Sequence, residues 1–326
     1  MVKTESACIV NNLSEFIGKN MATRDAYGMT LVELGKKYPN IVVLDADLSC
    51  STKTALFAKN FPDRFFNMGV SEQDMMGTAA GLALTKKIPF ASTFAIFATG
   101  RAWEQIRQTI CYSYANVKIV ATHGGITVGE DGATHQALED VALMRVIPNM
   151  TVIVPADAYE TAQSIVAAVD YYGPMYIRLG RAKVPSILPA EYRFQIGKAY
   201  IFNLGKDVNI IANGIMVSEA LKAAEKLNKE GISTGVTNFS SVKPLDEETL
   251  LKIAKNSKLI VTAEEHSVIG GLGSAVAEFI SQNHPVKLKI IGVQDSFGCS
   301  GEWKELLKLY GLTAENIIKV IKDFFK

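Results

Sequence analysis

The sequence predicts an α/β protein of two domains, each a mainly parallel sheet flanked by helices. Short apolar runs alternate along the chain with longer segments of helical periodicity, which is typical of strand–helix–strand units. The apolar runs contain few polar residues, as expected for strands buried on both faces of a parallel sheet. At 326 residues the chain exceeds the usual size of one hydrophobic core, which favours two domains.

The first domain is expected over residues 1–185. Its predicted strands are NIVVLDAD (40–47), VKIVATHG (117–124), MTVIVPAD (150–157) and PMYIRLG (174–180). Its predicted helices are MATRDAYGMTLVELGKKY, SEQDMMGTAAGLALTK, TGRAWEQIRQTICYSYA and AYETAQSIVAAVDYYG. Because connections between parallel strands are right-handed, these helices should cover both faces of the sheet.

Residues 186–200 are predicted to form the linker, and residues 201–326 the second domain. The stretch RAKVPSILPAEYRFQIGKAY around the linker has two prolines and no clear period. The second domain repeats the alternation with the strands VNIIANG, ISTGVTNF, KLIVTAEEH and VKLKIIGV. The segment VIGGLGSAV (268–276) is predicted to begin a helix, but its glycines lack the spacing of dinucleotide-binding sites. It is interpreted either as a tight strand-to-helix turn or as an anion site at the start of the helix.

Composition excludes several classes of function. The formal net charge of +1, from 34 basic and 33 acidic residues, gives no electrostatic basis for binding nucleic acid or a membrane surface. No apolar run approaches the roughly 20 residues of a membrane span, and no secretory leader is apparent, so a cytoplasmic location is expected. The four cysteines include no C-x-x-C pair, which favours reduced thiols over zinc or disulfide frameworks.

The most informative stretch is VATHGGITVGEDGATHQ (120–136), which contains two of the four histidines, His123 and His135. Glu130 and Asp131 lie between them in a glycine-rich loop that follows a predicted strand. Open α/β sheets place ligands at such strand ends, and imidazole exchanges protons near neutral pH. A substrate contact is therefore predicted. One alternative is a metal site, although the spacing of these residues matches no zinc pattern. The other alternative is an ordinary solvated loop.

A second polar cluster lies in FFNMGVSEQDMMG (65–77), where Glu72 is placed just before an apolar helix. A carboxylate there can satisfy free N–H groups at the start of the helix. It can equally be a buried acid with a chemical role, since a mostly apolar setting favours the protonated form. The residues around Glu72 do not by themselves decide between the two.

Five segments together resemble the C-terminal half of transketolase: GVSEQDMMG, STFAIFATGRAWEQIR, ATHGGITVGEDGATHQ, PNMTVIVPAD and VKPLD. The resemblance covers nearly the whole chain in the same order. It implies a pyrimidine-binding domain and a transketolase C-terminal domain, and a reaction that uses thiamine diphosphate to move a two-carbon ketol unit between sugar phosphates of the pentose phosphate pathway. Deoxyxylulose-phosphate synthases and the β subunits of 2-oxo acid dehydrogenases share the architecture but match the histidine stretch less well.

The resemblance also implies a partner. Transketolases bind the diphosphate and Mg²⁺ through a G-D-G motif followed by Asn, and this sequence has no such motif. The chain is therefore similar to the second subunit of a split transketolase, with no metal ligands of its own. An N-terminal-half partner subunit should supply them, and self-association to a dimer would give an α2β2 assembly. A non-catalytic assembly protein of the same fold is the alternative from another class.

Each site residue is carried over from its match to a family motif. As a catalytic acid Glu72 would bond N1′ of the pyrimidine, and His123 and His135 would act near the substrate. Two phenylalanines at helical spacing are often plain core, but here they match the aromatic wall of the cofactor site. The cofactor-binding set is Glu72, Phe94, Phe97 and Asp47, and the substrate-binding set is Arg24, Ser51, His123, Asp131, His135 and Arg181.

Two positions depart from the family pattern. Gly100 stands where full-length transketolases commonly have a tyrosine, so the partner or Tyr112 is expected to fill the gap. Ser71 replaces the arginine that usually precedes the catalytic glutamate, which removes a positive charge beside the cofactor.

Overall fold

A computed structural model describes residues 12–326. The strands of the first part of the chain are β1 (Met21–Ala22), β2 (Ile41–Asp45), β3 (Phe65–Asn67), β4 (Ile88–Ser92), β5 (Lys118–Ala121), β6 (Thr151–Ile153), β7 (Met175–Arg178) and β8 (Lys183–Val184). The α-helices there are α1 (Thr23–Lys37), α2 (Ser49–Thr52), α3 (Ala55–Asn60), α4 (Glu72–Leu84), α5 (Trp103–Gln105), α6 (Asp140–Arg145) and α7 (Ala158–Asp170). Short 3₁₀ helices lie at Asn12–Phe16, Pro62–Arg64 and Ile126–Asp131.

The second part of the chain contains β9 (Tyr200–Asn203), β10 (Val208–Ala212), β11 (Thr234–Asn238), β12 (Ser241–Lys243), β13 (Leu259–Ser267) and β14 (Lys287–Val293). Its helices are α8 (Met216–Lys229), α9 (Glu247–Lys255), α10 (Leu272–Asn283), α11 (Trp303–Leu309) and α12 (Ala314–Phe325). The eight strands expected from their apolar runs all form. Seven are shorter than their runs, and β13 has the same length but is displaced by one residue toward the C-terminus.

Two mainly parallel sheets organise the molecule. The first has the order β12-β6-β7-β5-β4-β2-β3 and the second the order β14-β13-β10-β11-β9. Only the edge strands β12 and β9 pair antiparallel within these two sheets, while β1 and β8 form a separate antiparallel pair. Apolar side chains pack against both faces of each sheet, so the predicted fold class is confirmed.

The helix predicted over TGRAWEQIRQTICYSYA is not a regular α-helix. The chain forms a π-helix at Phe97–Arg101, one α-turn at α5, and a second π-helix at Ile106–Tyr112. Its apolar residues Ile106, Ile110 and Cys111 are buried against the sheet. The segment is therefore helical with one buried face, as its periodicity predicts. The two π-helical segments were not predictable, because their i→i+5 bonding changes the spacing of apolar residues only slightly in a stretch of this length.

Residues 186–200, predicted as the linker, pack closely against α7. Asp157 Oδ2 accepts hydrogen bonds from the backbone N–H groups of Ile187 and Leu188 at 2.9 and 3.1 Å. The Tyr192 hydroxyl donates to the buried Glu160 carboxylate at 2.5 Å. This segment therefore crosses from one sheet to the other in contact with the core.

Candidate active site

The candidate site residues lie at the carboxyl ends of the parallel strands. Asp47 follows β2, Glu72 follows β3, Phe94 follows β4, His123 follows β5 and Arg181 follows β7. The sheet has a switch point at β2, since β3 lies on one side of it and β4 on the other. Open α/β sheets bind ligands in the crevice that such a reversal creates.

The loop after β2 is fixed by the buried carboxylate of Asp45. Oδ1 accepts from the backbone N–H of Leu48 at 2.6 Å, and Oδ2 accepts from the hydroxyls of Thr52 and Thr54 at 2.7 and 2.8 Å. Burial raises the pKa of Asp45 against the opposing effect of these hydrogen bonds. The loop presents Asp47 at its surface, where Oδ1 accepts from Asn67 Nδ2 at 2.9 Å.

Glu72 is the first residue of α4 and is 5% exposed. Its Oε1 accepts a hydrogen bond from Arg101 Nη1 at 2.9 Å. Among the described residues no hydrogen bond joins this carboxylate to an N–H group of the helix, so the capping interpretation is not supported. The setting of Glu72 is less apolar than predicted, because Arg101 lies against it. Arg101 also supplies a positive charge beside the site, whereas the replacement of arginine by Ser71 had predicted that this charge would be missing.

Phe94, Phe97 and the two histidines form one aromatic cluster. The rings of Phe94 and Phe97 are nearly parallel, with centroids 5.7 Å apart. His123 stacks on Phe94 at 3.7 Å, and His135 meets Phe97 edge-on at 5.4 Å. Tyr112 does not fill the place next to Gly100: it is 86% exposed, and no ring contact joins it to this cluster within the described chain.

His123 is buried, and its hydrogen bonds define its tautomer. Arg24 Nη1 lies 3.2 Å from Nε2 and can only donate, so Nε2 is the acceptor. Nδ1 therefore carries the proton and donates to Thr122 Oγ1 at 2.8 Å. Burial, followed by the charges of Arg24 and Arg181, lowers the pKa of His123 to about 3. The imidazole is thus neutral at physiological pH and serves as an oriented hydrogen-bonding group.

Arg24 and Arg181 both place a positive charge near His123. Arg24 Nη1 also donates to the Ser51 carbonyl at 3.0 Å, and Arg24 Nε is buried without a hydrogen-bond partner within the described chain. Burial lowers the pKa of Arg24, and the charge of Arg181 acts in the same direction. An unpaired buried donor on one guanidinium, near the positive charge of a second, is the arrangement expected for binding an anion.

The loop between the histidines continues this charged edge. Arg181 Nη1 donates to Glu130 Oε2 at 3.2 Å and lies 3.6 Å from Asp131 Oδ2. His135 shares a hydrogen bond of 2.9 Å with Thr134 Oγ1 through Nδ1. The predicted substrate-binding residues form two contacting groups. Ser51, Arg24 and His123 are linked to His135 through the ring of Phe94, and Arg181 is paired with Asp131. Asp47 contacts Asn67 of β3.

The second sheet holds this histidine loop (residues 122–136) in place. Glu265 Oε1 accepts from the backbone N–H of Thr127 at 2.7 Å, and Gln136 Nε2 donates to the Cys299 carbonyl at 2.9 Å. Arg178 Nη2 donates to the carbonyls of Ala137 and Glu265 at 3.1 and 2.8 Å. Sequence reasoning did not identify Arg101, Gln136 or Glu265, because each acts on residues far away along the chain.

His266 and Cys299, both in the second part of the chain, have structural partners. His266 is buried, and Nδ1 lies 2.8 Å from the Ser267 carbonyl while Nε2 accepts from the Ala142 N–H at 3.4 Å. The exposed Cys299 lies 3.6 Å from the Tyr310 hydroxyl.

Over residues 12–326 no group of three or more His, Cys, Asp or Glu side chains could hold a metal ion, and no helix there is long and apolar enough to cross a membrane.

Two family models match consecutive parts of the chain. Residues 19–186 match the transketolase pyrimidine binding domain, and residues 197–317 match the transketolase C-terminal domain. The chain belongs to the transketolase family. Its pyrimidine-binding part provides the strand edge with Glu72 and the aromatic cluster, and its C-terminal part provides Glu265 and the loop around Cys299.

Relatives and a solved structure agree with this family. A protein of Methanocaldococcus jannaschii named "Putative transketolase C-terminal section" is 55% identical over 93% of this chain and 96% of its own length. A 6-deoxy-6-sulfo-D-fructose transketolase subunit of a Clostridium species is 44% identical over 92% of this chain and 93% of its own length. A solved structure described as "Split gene transketolase, inactive beta4 tetramer" has a TM-score of 0.85, with 53% identity, covering 94% of this chain and 98% of that one.

Proposed function

We propose that this chain is the pyrimidine-binding and C-terminal subunit of a two-component transketolase that depends on thiamine diphosphate. It would transfer a two-carbon ketol unit between ketose and aldose phosphates in the pentose phosphate pathway. The observation that carries the proposal is the convergence of a buried carboxylate, Glu72, an aromatic face, Phe97, and a histidine-lined anion site on one strand edge. Membership of the transketolase family supports a transferase role.

The residues around Glu72 fit the aminopyrimidine ring of this cofactor. The guanidinium of Arg101, a flat group with N–H donors, lies 4.2 Å from the Phe97 ring centroid and bonds Glu72. This place can therefore hold a planar, nitrogen-bearing group between an aromatic face and a carboxylate. Phe94 and Phe97 would form the wall of the ring site, and Asp47 would lie at the subunit contact.

Each residue of this chain then has a defined task. Bound thiamine diphosphate would supply the electron sink that the ketol transfer requires. Glu72 would hold a proton toward N1′ of the ring, and the aromatic wall of buried Phe94 and half-buried Phe97 would exclude water from it. Mg²⁺ would be held with the diphosphate by the partner subunit.

The anion site would bind the phosphate end of the sugar. Arg24, with its unpaired Nε, and Arg181 would bind the phosphate beside Ser51. His123, held neutral with a fixed tautomer, would accept at Nε2 from a sugar hydroxyl when Arg24 turns to the phosphate, and proton exchange would be left to His135. Asp131, which is paired with Arg181, would accept from a sugar hydroxyl.

We further propose that activity requires a second chain of the N-terminal-half type in an α2β2 assembly in the cytoplasm. Several relatives carry names of separate sections or subunits. The similar split-gene structure is named as an inactive tetramer of β subunits, which agrees with a site that one chain type does not complete. Both observations support the partner without identifying it.

The test is reconstitution with the partner chain. The complex should transfer a ketol unit from xylulose 5-phosphate to ribose 5-phosphate only when thiamine diphosphate and magnesium are present. Glu72→Gln should lower kcat by about 10²- to 10⁴-fold, the range for a lost proton-transfer group, with little effect on the assembly seen by size-exclusion chromatography. Full turnover by Glu72→Gln would refute its role, and no transfer by a verified complex would refute the transketolase function.

A related substrate is the second candidate. Relatives at 44% and 39% identity are named as subunits of 6-deoxy-6-sulfo-D-fructose and apulose-4-phosphate transketolases. The same complex should therefore be assayed with both donors. A kcat/KM for either that exceeds the value for xylulose 5-phosphate would assign this chain to that reaction instead of the pentose phosphate pathway.

A further inference from the structure

Arg101 contacts both groups that are proposed to hold the cofactor ring. Its Nη1 donates to Glu72 Oε1 at 2.9 Å, and its guanidinium carbon lies 4.2 Å from the centroid of the Phe97 ring. Both distances are those of favourable contacts, a charge-assisted hydrogen bond and a cation–π contact. The side chain therefore bridges the carboxylate and the aromatic face.

We propose that Arg101 occupies the place of the aminopyrimidine ring in the cofactor-free chain and thereby sets the affinity for thiamine diphosphate. The inference rests on the proposed function. A guanidinium resembles an aminopyrimidine in being flat, in donating N–H groups to a carboxylate and in stacking on an aromatic ring. The two groups need the same Glu72 oxygen and the same face of Phe97, so they exclude each other.

The structure leaves Arg101 a way out of this place. Its side chain is half exposed, at 50% of its full accessibility, and it ends the π-helix at Phe97–Arg101. Its backbone carbonyl is held separately by Gln73 Nε2 at 3.1 Å. The guanidinium can therefore rotate into solvent while the backbone stays in position, and π-helical turns are frequent at functional sites.

The cofactor must displace Arg101 before its ring can bind, and this requirement lowers the apparent affinity for the cofactor. If the ring place is free only part of the time, the measured Kd rises in inverse proportion to the free fraction. A contact made of one partly exposed ion pair and one cation–π stack should keep the place filled most of the time. Removing the guanidinium should therefore lower the Kd by roughly three- to tenfold.

The first experiment measures binding of thiamine diphosphate, with magnesium, to the complex of this chain with its partner by isothermal titration calorimetry. Arg101→Gln should lower the Kd roughly three- to tenfold. Arg107→Gln is the matched control, since it removes the same charge from an exposed position in the next π-helix and should leave the Kd unchanged. An unchanged or raised Kd in Arg101→Gln would overturn the inference while leaving the proposed function intact.

The second experiment needs no cofactor. A double-mutant cycle on chemical unfolding of the chain, with Glu72→Gln and Arg101→Gln singly and together, should show a favourable coupling between the two side chains. Zero coupling would overturn the inference. Absence of thiamine diphosphate binding by wild type and by both arginine variants would instead refute the proposed function, and this inference with it.

Discussion

At the scale of single residues, the candidate site is built on uncommon backbone conformations. Asp47, Lys53 and His123 have positive φ angles of 64°, 73° and 59°, and all three lie in loops at the carboxyl edge of the first sheet. Non-glycine residues adopt this region at an energetic cost that surrounding contacts must offset, and such residues concentrate at functional sites. Here Asp45 fixes the loop of Asp47, and Arg24 and Thr122 fix the ring of His123.

The buried His123 should make the stability of the chain dependent on pH. Its pKa is lowered to about 3, so between pH 6.5 and 3 only the unfolded chain takes up this proton, and the free energy of unfolding falls as the pH falls. Between pH 7 and 5 this contributes on the order of 1–2 kcal/mol. His123→Asn, chosen because Asn tolerates a positive φ, should reduce the difference in unfolding free energy between these pH values by that amount. Equal differences in both proteins, measured by urea unfolding, would contradict the assignment.

At the scale of elements, Asp157 joins a helix start to the segment between the two sheets. Its Oδ1 caps α7 by accepting from the Glu160 N–H at 2.8 Å, while Oδ2 holds Ile187 and Leu188. Asp157 is fully buried, and burial raises its pKa against the effect of these hydrogen bonds. One side chain therefore fixes both the first turn of α7 and the course of residues 186–200.

Asp157→Ala should be costly because it removes a helix cap and leaves two backbone donors without partners. We expect a loss of about 2–5 kcal/mol in the free energy of unfolding. Trypsin should also cleave the variant faster within residues 186–200, at Arg193 or Lys198. Thr313→Ala is the control, since Thr313 caps α12 through one bond to Asn316 at 3.3 Å; it should cost about 1 kcal/mol and leave the cleavage rate unchanged. Equal cleavage rates in both variants would argue against the bridging role.

Two of the strands that the sequence did not predict, β4 and β12, have no clear signal in their residues. β4 contains Pro89, which normally argues against a central strand. Its pairing with β5 begins only at Phe90, so Pro89 lies beyond the reach of that neighbour. β12 is three residues long and joins the first sheet although it belongs to the second part of the chain. Neither its length nor its partner is visible in local periodicity.

At the scale of the whole molecule, a buried charged network connects the two sheets next to the histidine loop. Arg178 Nε donates to Asp140 Oδ2 at 2.8 Å, and the Tyr176 hydroxyl donates to the same oxygen at 2.6 Å. Arg178 also reaches the Glu265 backbone, while the Glu265 side chain holds Thr127. A cavity of about 30 Å³, lined in part by Arg178, Glu265 and Gly124, lies at this junction.

Arg178→Met should destabilise the chain strongly, because Asp140 would remain buried without a counter-charge. We expect a loss of about 3–5 kcal/mol, measured by chemical denaturation. The double variant Arg178→Met/Asp140→Leu should recover a large part of this loss, since it removes the desolvated charge as well. A loss of less than about 1 kcal/mol in the free energy of unfolding of the single variant would show that the network contributes little to holding the two sheets together.

The sequence by itself determined the α/β class, because periodicity records which faces of each element are buried. Through resemblance it also indicated Glu72, Phe94, Phe97 and the two histidines as a set. Only the tertiary structure placed Arg101 on Glu72, fixed the tautomer of His123 and brought Glu265 to Thr127, 138 positions away. Such contacts depend on how sheets and loops pack in space, and no local pattern of side chains specifies the distance between residues so far apart along the chain.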